Sequence, residues 1–236
     1  MSGIFYGVGV GPGDPELLTL KAVAVIKEAD VIIAPKTEKK EESTALSIAR
    51  PYLKSDVEIV KLVFPMVNNT DTLSDAWESN KECILELLKN GKKVVFLTLG
   101  DPMFYSTYMY VYRLLKDCGY PIQTIPGIPA FCAMGSQLGL PLAEGNDVIS
   151  IIPATMESEA MDKILATVDN VVLMKVYKNF GEIVDKLHEH GFGENAVMVT
   201  KCGLPDEKIS YDLSEVDRSS VNYLSTILAK KHTKLG

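Results

Sequence analysis

Short apolar runs and amphipathic stretches alternate along the first half of the chain. The run "IFYGVGV" (4–10) predicts a strand, "PELLTLKAVAVIKEA" (15–29) a helix and "DVIIAP" (30–35) a second strand. "STALSIARPYL" (43–53) predicts a short helix opened by a Ser43 cap, and "DVEIVKLVF" (56–64) a third strand. The longest helix, "DTLSDAWESNKECILELLKNG" (71–91), is closed by Gly91. "KKVVFLTLG" (92–100), "YSTYMYVYRLLKDCG" (105–119) and "YPIQTIPG" (120–127) continue as strand, helix and strand. Such alternation predicts an α/β unit on a mainly parallel sheet.

Beyond residue 127 the pattern changes. "DVISIIP" (147–153), "NVVLMKVY" (170–177) and "NAVMVTKCG" (195–203) read as strands, with helices at "ESEAMDKILATV" (157–168) and "FGEIVDKLHEHG" (180–191). "EKISYDL" (207–213) reads as a further strand, more exposed and antiparallel to its neighbour. The Pro/Gly-rich stretch 124–147 separates the halves, giving two α/β domains, 1–126 with a mainly parallel sheet and 127–236 with a mixed one.

Composition narrows the function. The 236 residues suffice for a sizeable core, and 47% hydrophobic with 23% charged residues is ordinary for a soluble globular protein. A formal net charge of −7 argues against a nucleic-acid partner, which calls for a basic patch. No apolar run reaches the length of a membrane span and the opening residues carry no basic-then-apolar leader, so a cytoplasmic protein without a membrane partner is expected. Cys83, Cys118, Cys132 and Cys202 are scattered, and His188 and His190 at i and i+2 point apart on a helix, so no metal site is signalled.

Candidate chemistry lies where strands end in turns bearing glycine or proline: "GVGVGPGDP" (7–15), "LTLGDPMFYST" (97–107) and "IPGIPAFCA" (125–133). The first lacks the lysine of a P-loop and the spacing of a dinucleotide fingerprint. At the carboxyl ends of parallel strands, three such turns can line one crevice with backbone donors and acceptors, which suits a polar but weakly anionic ligand. Taken singly, each is also explained as a plain β–α connection.

Together these three segments resemble the tetrapyrrole methylase family, S-adenosylmethionine-dependent enzymes, and the resemblance spans nearly the whole chain. It implies two α/β domains with the active site in the cleft between them, a homodimer, a small-molecule tetrapyrrole as partner, and S-adenosylhomocysteine as product. Within the family, "TALSIARPYL", "LVFPM" (62–66), "DAWESN" and "VVLMKVYKN" resemble the members that methylate C(20) of precorrin-2 or its cobalt form in cobalamin synthesis. Methylation at C(11), C(17) or uroporphyrinogen C(2)/C(7), a diphthine-synthase-like or rRNA methylase, and a nucleotide-binding regulatory module are the alternatives.

By the same resemblance, the cofactor contacts fall on Leu99, Gly100, Asp101, Phe104, Ser106 and Thr107, then on Pro129 and Ala130. In the second half they fall on Met174, Lys175 and Val176, and on the backbone of Thr200, Lys201, Cys202 and Gly203. The opening turn, with Gly9, Gly11, Pro12, Gly13 and Asp14, faces the tetrapyrrole, joined by Tyr105 and Lys36. Lys39, Lys40, Arg50 and Lys61 are further candidates for gathering carboxylates. Asp101 either accepts from the cofactor's ribose or ammonium or caps the next helix. Lys175, read as a strand residue opposite Met174, is either a snorkelling surface lysine or a cleft ammonium that clamps a carboxylate or takes the meso proton.

Overall fold

A computed structural model describes residues 2–36, 43–64 and 70–232, the side chains of Lys36 and residues 70–75 excepted. The chain divides into two units, Met1–Pro129 and Ala130–Gly236.

The first unit runs β1 (Ile4–Gly9), α1 (Leu20–Glu28), β2 (Val31–Lys36), α2 (Thr44–Ala49), β3 (Glu58–Val63), α3 (Thr70–Lys89), β4 (Lys93–Thr98), α4 (Tyr108–Leu115) and β5 (Ile122–Ile125). All pairings are parallel, in the order β3-β2-β4-β1-β5. Val31 to Ala34 and Val94 to Leu97 are buried without interruption, as strands covered on both faces must be. Phe5, Val31, Ile33, Val94 and Phe96 pack with Ile84 and Leu88 of α3 and Val111 and Leu115 of α4. The alternate residues Val8, Ile32, Val95 and Leu97 face the other way and are fully buried too, on the side where α1 touches β1 and β4.

This order positions the site. The chain leaves β1 toward β2 and leaves β4 across β1 toward β5, so right-handed crossovers send the two neighbours to opposite faces. Between their carboxyl ends the sheet has its switch point, the place where open α/β sheets take ligands.

Two expectations for this unit change. The helix predicted over 15–29 is broken: a 3-10 turn covers Pro15–Leu17, Leu18 is extended (φ −66°, ψ 137°), and Thr19 caps α1 by accepting from the Ala22 N–H at 3.1 Å. A threonine bond to the backbone outcompetes one more helical turn there. Ser43 holds the N-cap position of α2, but its side chain makes no capping bond.

The second unit contains α5 (Ala130–Leu138), β6 (Ile149–Pro153), α6 (Ser158–Thr167), β7 (Asn170–Met174), α7 (Phe180–Glu189), β8 (Ala196–Thr200), β9 (Lys208–Ser210) and β10 (Ser225–Lys230). Its sheet order is β6-β7-β10-β8-β9, with only β6 and β7 parallel. Helices α6 and α7 pack Met161, Leu165, Ile183 and Leu187 onto Val171, Leu173, Met198 and Ile227. Asp162 ties them across, accepting from buried Lys186 at 2.7 Å with both oxygens and pairing with His190 at 3.1 Å.

The pattern of apolar positions did not predict α5 or β10. The helix lies inside the stretch read as a separator. The strand is the centre of the sheet, and all six of its residues are buried. Its apolar run, Ile227 to Ala229, is short and ends in lysines, and Lys230 is buried by donating to the Pro141 carbonyl at 3.0 Å.

Candidate active site

Gly7, Gly9 and Gly11 of the opening stretch each have a physical reason. Gly7 faces the ring of fully buried Tyr108, and any Cβ there would fall inside that ring. Burial pushes the Tyr108 phenol up, and its hydroxyl pairs with Thr124 Oγ1 at 2.6 Å. A Cβ on Gly9 would stand 2.6 Å from both the Gly100 carbonyl oxygen and the Gly127 nitrogen. Gly11 has φ 76° and forms an isolated antiparallel bridge with Gly100, whose N–H donates to the Gly11 carbonyl at 2.7 Å and whose carbonyl accepts in return at 3.3 Å.

The turns after β1, β4 and β5 are thereby joined, and Asp101 completes the joint. Its Oδ1 accepts from Met103 N–H at 2.8 Å and its Oδ2 from Gly127 N–H at 3.0 Å. The cap suggested for Asp101 is therefore not on α4. That helix takes its capping bond from Ser106, whose hydroxyl accepts from Tyr108 N–H at 3.0 Å, while Thr107 at the N-cap makes none. Asp14 caps the Pro15–Leu17 turn, accepting from Glu16 N–H at 2.8 Å. Pro12 and Gly13 beside it are buried.

Gly100 differs from its partners. It has φ 70°, and an added Cβ would find its nearest neighbours, Ile128 O and Pro129 Cα, only at 3.9 Å. Gly9 and Gly127 are closed by protein atoms, whereas a Cβ on Gly100 would make only ordinary van der Waals contacts. Leu99 and Asp101 flank it half-buried, Phe104 stacks edge-on against Tyr105 at 4.7 Å, and Pro129 leads into Ala130 at the start of α5.

Among the described residues, three other than glycine take positive φ: Tyr105 (47°), Lys175 (61°) and Lys201 (59°). All three sit in turns that follow strands β4, β7 and β8. Such backbone costs on the order of 1–3 kcal/mol per residue and gathers at functional sites. For Lys175 this corrects the sequence expectation: β7 ends at Met174, and Lys175 turns left-handed (ψ 35°) into a 3-10 turn over Val176–Lys178. Strand alternation thus does not set its direction. Val176 is fully buried.

Strands β7 and β8 flank β10 and run parallel to each other, so their carboxyl ends share one sheet edge. There Thr200 Oγ1 pairs with Ser225 Oγ at 2.8 Å, and Lys201 N–H donates to the Leu224 carbonyl at 3.0 Å. The Lys201 ammonium pairs with Asp206. Buried Cys202 has its thiol pushed up to about 11, by burial first and then by the charge of Glu207, so near neutral pH it is protonated and reacts only slowly. Gly203 (φ 75°) donates its N–H to Glu207 Oε2 at 2.6 Å. Sequence reasoning missed Gly127, Glu207 and Ser225. Only Gly127, inside "IPGIPA", carried a visible signal.

Lys36 closes β2, its side chain outside the described part, and Lys39 and Lys40 lie outside the described residues. Lys61 is exposed on edge strand β3. No three metal-ligating side chains come together among the described residues, and none of the described helices is long and apolar enough to cross a membrane.

The model of the tetrapyrrole (corrin/porphyrin) methylases matches residues 5–217. The chain belongs to the tetrapyrrole methylases. This methylase is 34% identical over 234 residues to the cobalt-precorrin-2 C(20)-methyltransferase of Salmonella typhimurium, covering 98% of each chain. It is 32% identical over 240 residues to the precorrin-2 C(20)-methyltransferase of Sinorhizobium, covering 97% of each. Its fold is that of a cobalt precorrin-4 methyltransferase (TM-score 0.75, 24% identity, 96% of this chain and 94% of that one). It also matches Thermus thermophilus uroporphyrin-III C-methyltransferase complexed with S-adenosylhomocysteine (TM-score 0.69, 23% identity, 96% and 91%).

Proposed function

We propose that this tetrapyrrole methylase is an S-adenosylmethionine-dependent enzyme that methylates C(20) of precorrin-2 or cobalt-precorrin-2 in cobalamin biosynthesis. The observation that carries the reading is the near full-length match to relatives named for that reaction, at 34% and 32% identity. The turns fit such a cofactor. The left-handed turns at Gly100, Lys175 and Lys201 offer backbone groups without a cluster of cations, which suits a ligand with both a carboxylate and a cationic centre.

Bound S-adenosylmethionine supplies an already activated methyl group. The chain's task is then to align the partners and exclude water, which can provide much of the acceleration. In this reading Leu99, Gly100 and the backbone of 129–130, 174–176 and 200–203 hold the cofactor, while Gly11 to Asp14, Lys36 and Tyr105 face the macrocycle. Asp101 acts as a positioning residue, since both its oxygens accept from backbone N–H groups of the joined turns. Lys175 is the candidate for gripping a substrate carboxylate or accepting the meso proton. A homodimer and a cytoplasmic location belong to the same proposal, and light scattering tests the first.

The deciding experiment incubates the protein with methyl-labelled S-adenosylmethionine and either metal-free or cobalt-loaded precorrin-2, then locates the label by NMR. Label at C(20) is expected. Label at another ring position, or no transfer to either acceptor, overturns the reading.

A further inference from the structure

The turn after β8 is held by a side chain that plays no part in the sheet. Thr200 to Glu207 folds through two left-handed residues, Lys201 and Gly203, with Leu204 N–H donating to the Lys201 carbonyl at 2.9 Å. The Glu207 carboxylate reaches back into this turn. One oxygen accepts from Gly203 N–H at 2.6 Å, and the other accepts from the Gln137 amide of α5. Gln137 in turn accepts from the Cys202 thiol at 3.7 Å. Helix α5, Glu207 and the middle of the turn thus form one closed set of bonds.

We propose that Glu207, backed by Gln137, is a positioning residue that holds the Thr200–Gly203 turn in its ligand-binding shape; this rests on the assignment of that turn to S-adenosylmethionine above. The Gly203 N–H bond to Glu207 is charge-assisted and half-buried, which puts it among the stronger hydrogen bonds. With Gly203 N–H committed to Glu207, Lys201 N–H to the Leu224 carbonyl and Leu204 N–H to the Lys201 carbonyl, the shape of the turn is set before a ligand arrives. Without the carboxylate, Gly203 N–H and the Gln137 amide lose the acceptor that ties the turn to α5, leaving the bonds of Lys201 to Leu204, Leu224 and Asp206 to hold it.

The test uses the full chain and S-adenosylhomocysteine as probe, with two readouts: the dissociation constant by calorimetry, and the alkylation rate of Cys202 by iodoacetamide, resolved by peptide mass spectrometry. In the wild type the probe is expected to slow Cys202 alkylation. Glu207→Ala should raise the dissociation constant about tenfold, equivalent to about 1.4 kcal/mol. It should also speed alkylation and shift its pH profile downward, because the charge that helps push the thiol up is gone. Glu207→Gln can still accept from Gly203 N–H and should recover most of the affinity. In assays, the loss should fall on KM for the cofactor more than on kcat. If the probe does not protect Cys202 in the wild type, the turn is not the cofactor's and the proposal falls with that reading. If it protects, and Glu207→Ala changes neither affinity nor alkylation, the proposal alone is overturned. Should Glu207→Ala fail to fold, Gln137→Ala, at an exposed side chain, carries the same expectation with a smaller rise, and unchanged affinity there is equally decisive.

Discussion

Replacing Asp101 with alanine removes a side chain that joins the turns after β4 and β5. Two bonds are lost, to Met103 N–H at 2.8 Å and to Gly127 N–H at 3.0 Å. A hydrogen bond to a charged group contributes about 1.5–3 kcal/mol. Met103 is exposed, so water replaces that acceptor at little cost, and most of the loss comes from half-buried Gly127. A destabilisation of about 2–3 kcal/mol follows, lowering Tm by roughly 4–12 °C for a chain of this size. Calorimetric melting measures it, alongside titration with S-adenosylhomocysteine, whose affinity should fall because the floor beside Gly100 is no longer held. Asp101→Asn retains one acceptor and turns an amide N–H toward the other donor, so about half the loss should remain. If Asp101→Ala melts like the wild type and binds the probe as well, the carboxylate does not hold the turns, and a direct role in chemistry becomes the better account.

Gly9→Ala should destabilise by at least about 1–3 kcal/mol, because its Cβ would meet backbone on two sides at 2.6 Å. Gly100→Val, at positive φ (70°), should abolish S-adenosylhomocysteine binding; equal binding by Gly100→Val would place the cofactor elsewhere. Thr98 ends β4 with its hydroxyl buried and unpartnered, so Thr98→Val should raise stability by about 1 kcal/mol in a denaturant melt, and a loss would reveal a partner for the hydroxyl. Lys175→Gly should relieve the left-handed strain and gain up to about 1 kcal/mol while cutting turnover at least about tenfold, whereas wild-type turnover would remove Lys175 from the chemistry. The Asp162 carboxyl is held below its ordinary 3.8 by Lys186 and then His190. Because its folded value is depressed, its contribution is present above 3.8 and lost as pH falls through the depressed value. The acid-side fall in Tm should therefore be shallower in Asp162→Asn, and an identical profile would assign the fall to other carboxylates.

Elements whose signal is local were legible in the amino-acid pattern. The inner parallel strands β2 and β4 of the first unit read as apolar runs because both faces are covered, and the three glycine-bearing turns were visible because left-handed backbone and close approach favour glycine. Family and chemistry followed from those turns. Tertiary structure alone decided how each of these glycines is used: Gly7 yields to the Tyr108 ring, Gly9 to two other turns, and Gly100 to a left-handed turn. It also decided that Asp101 binds backbone 26 residues away and that Lys175 lies in the turn after a strand instead of within one. The central strand β10 escaped notice for the same reason. A run of three apolar residues does not distinguish a strand from a loop, and pairing with both β7 and β8, segments distant in sequence, is what makes it the middle of a sheet. Local composition encodes conformational preference, whereas partners far along the chain are chosen by packing that no window of sequence contains.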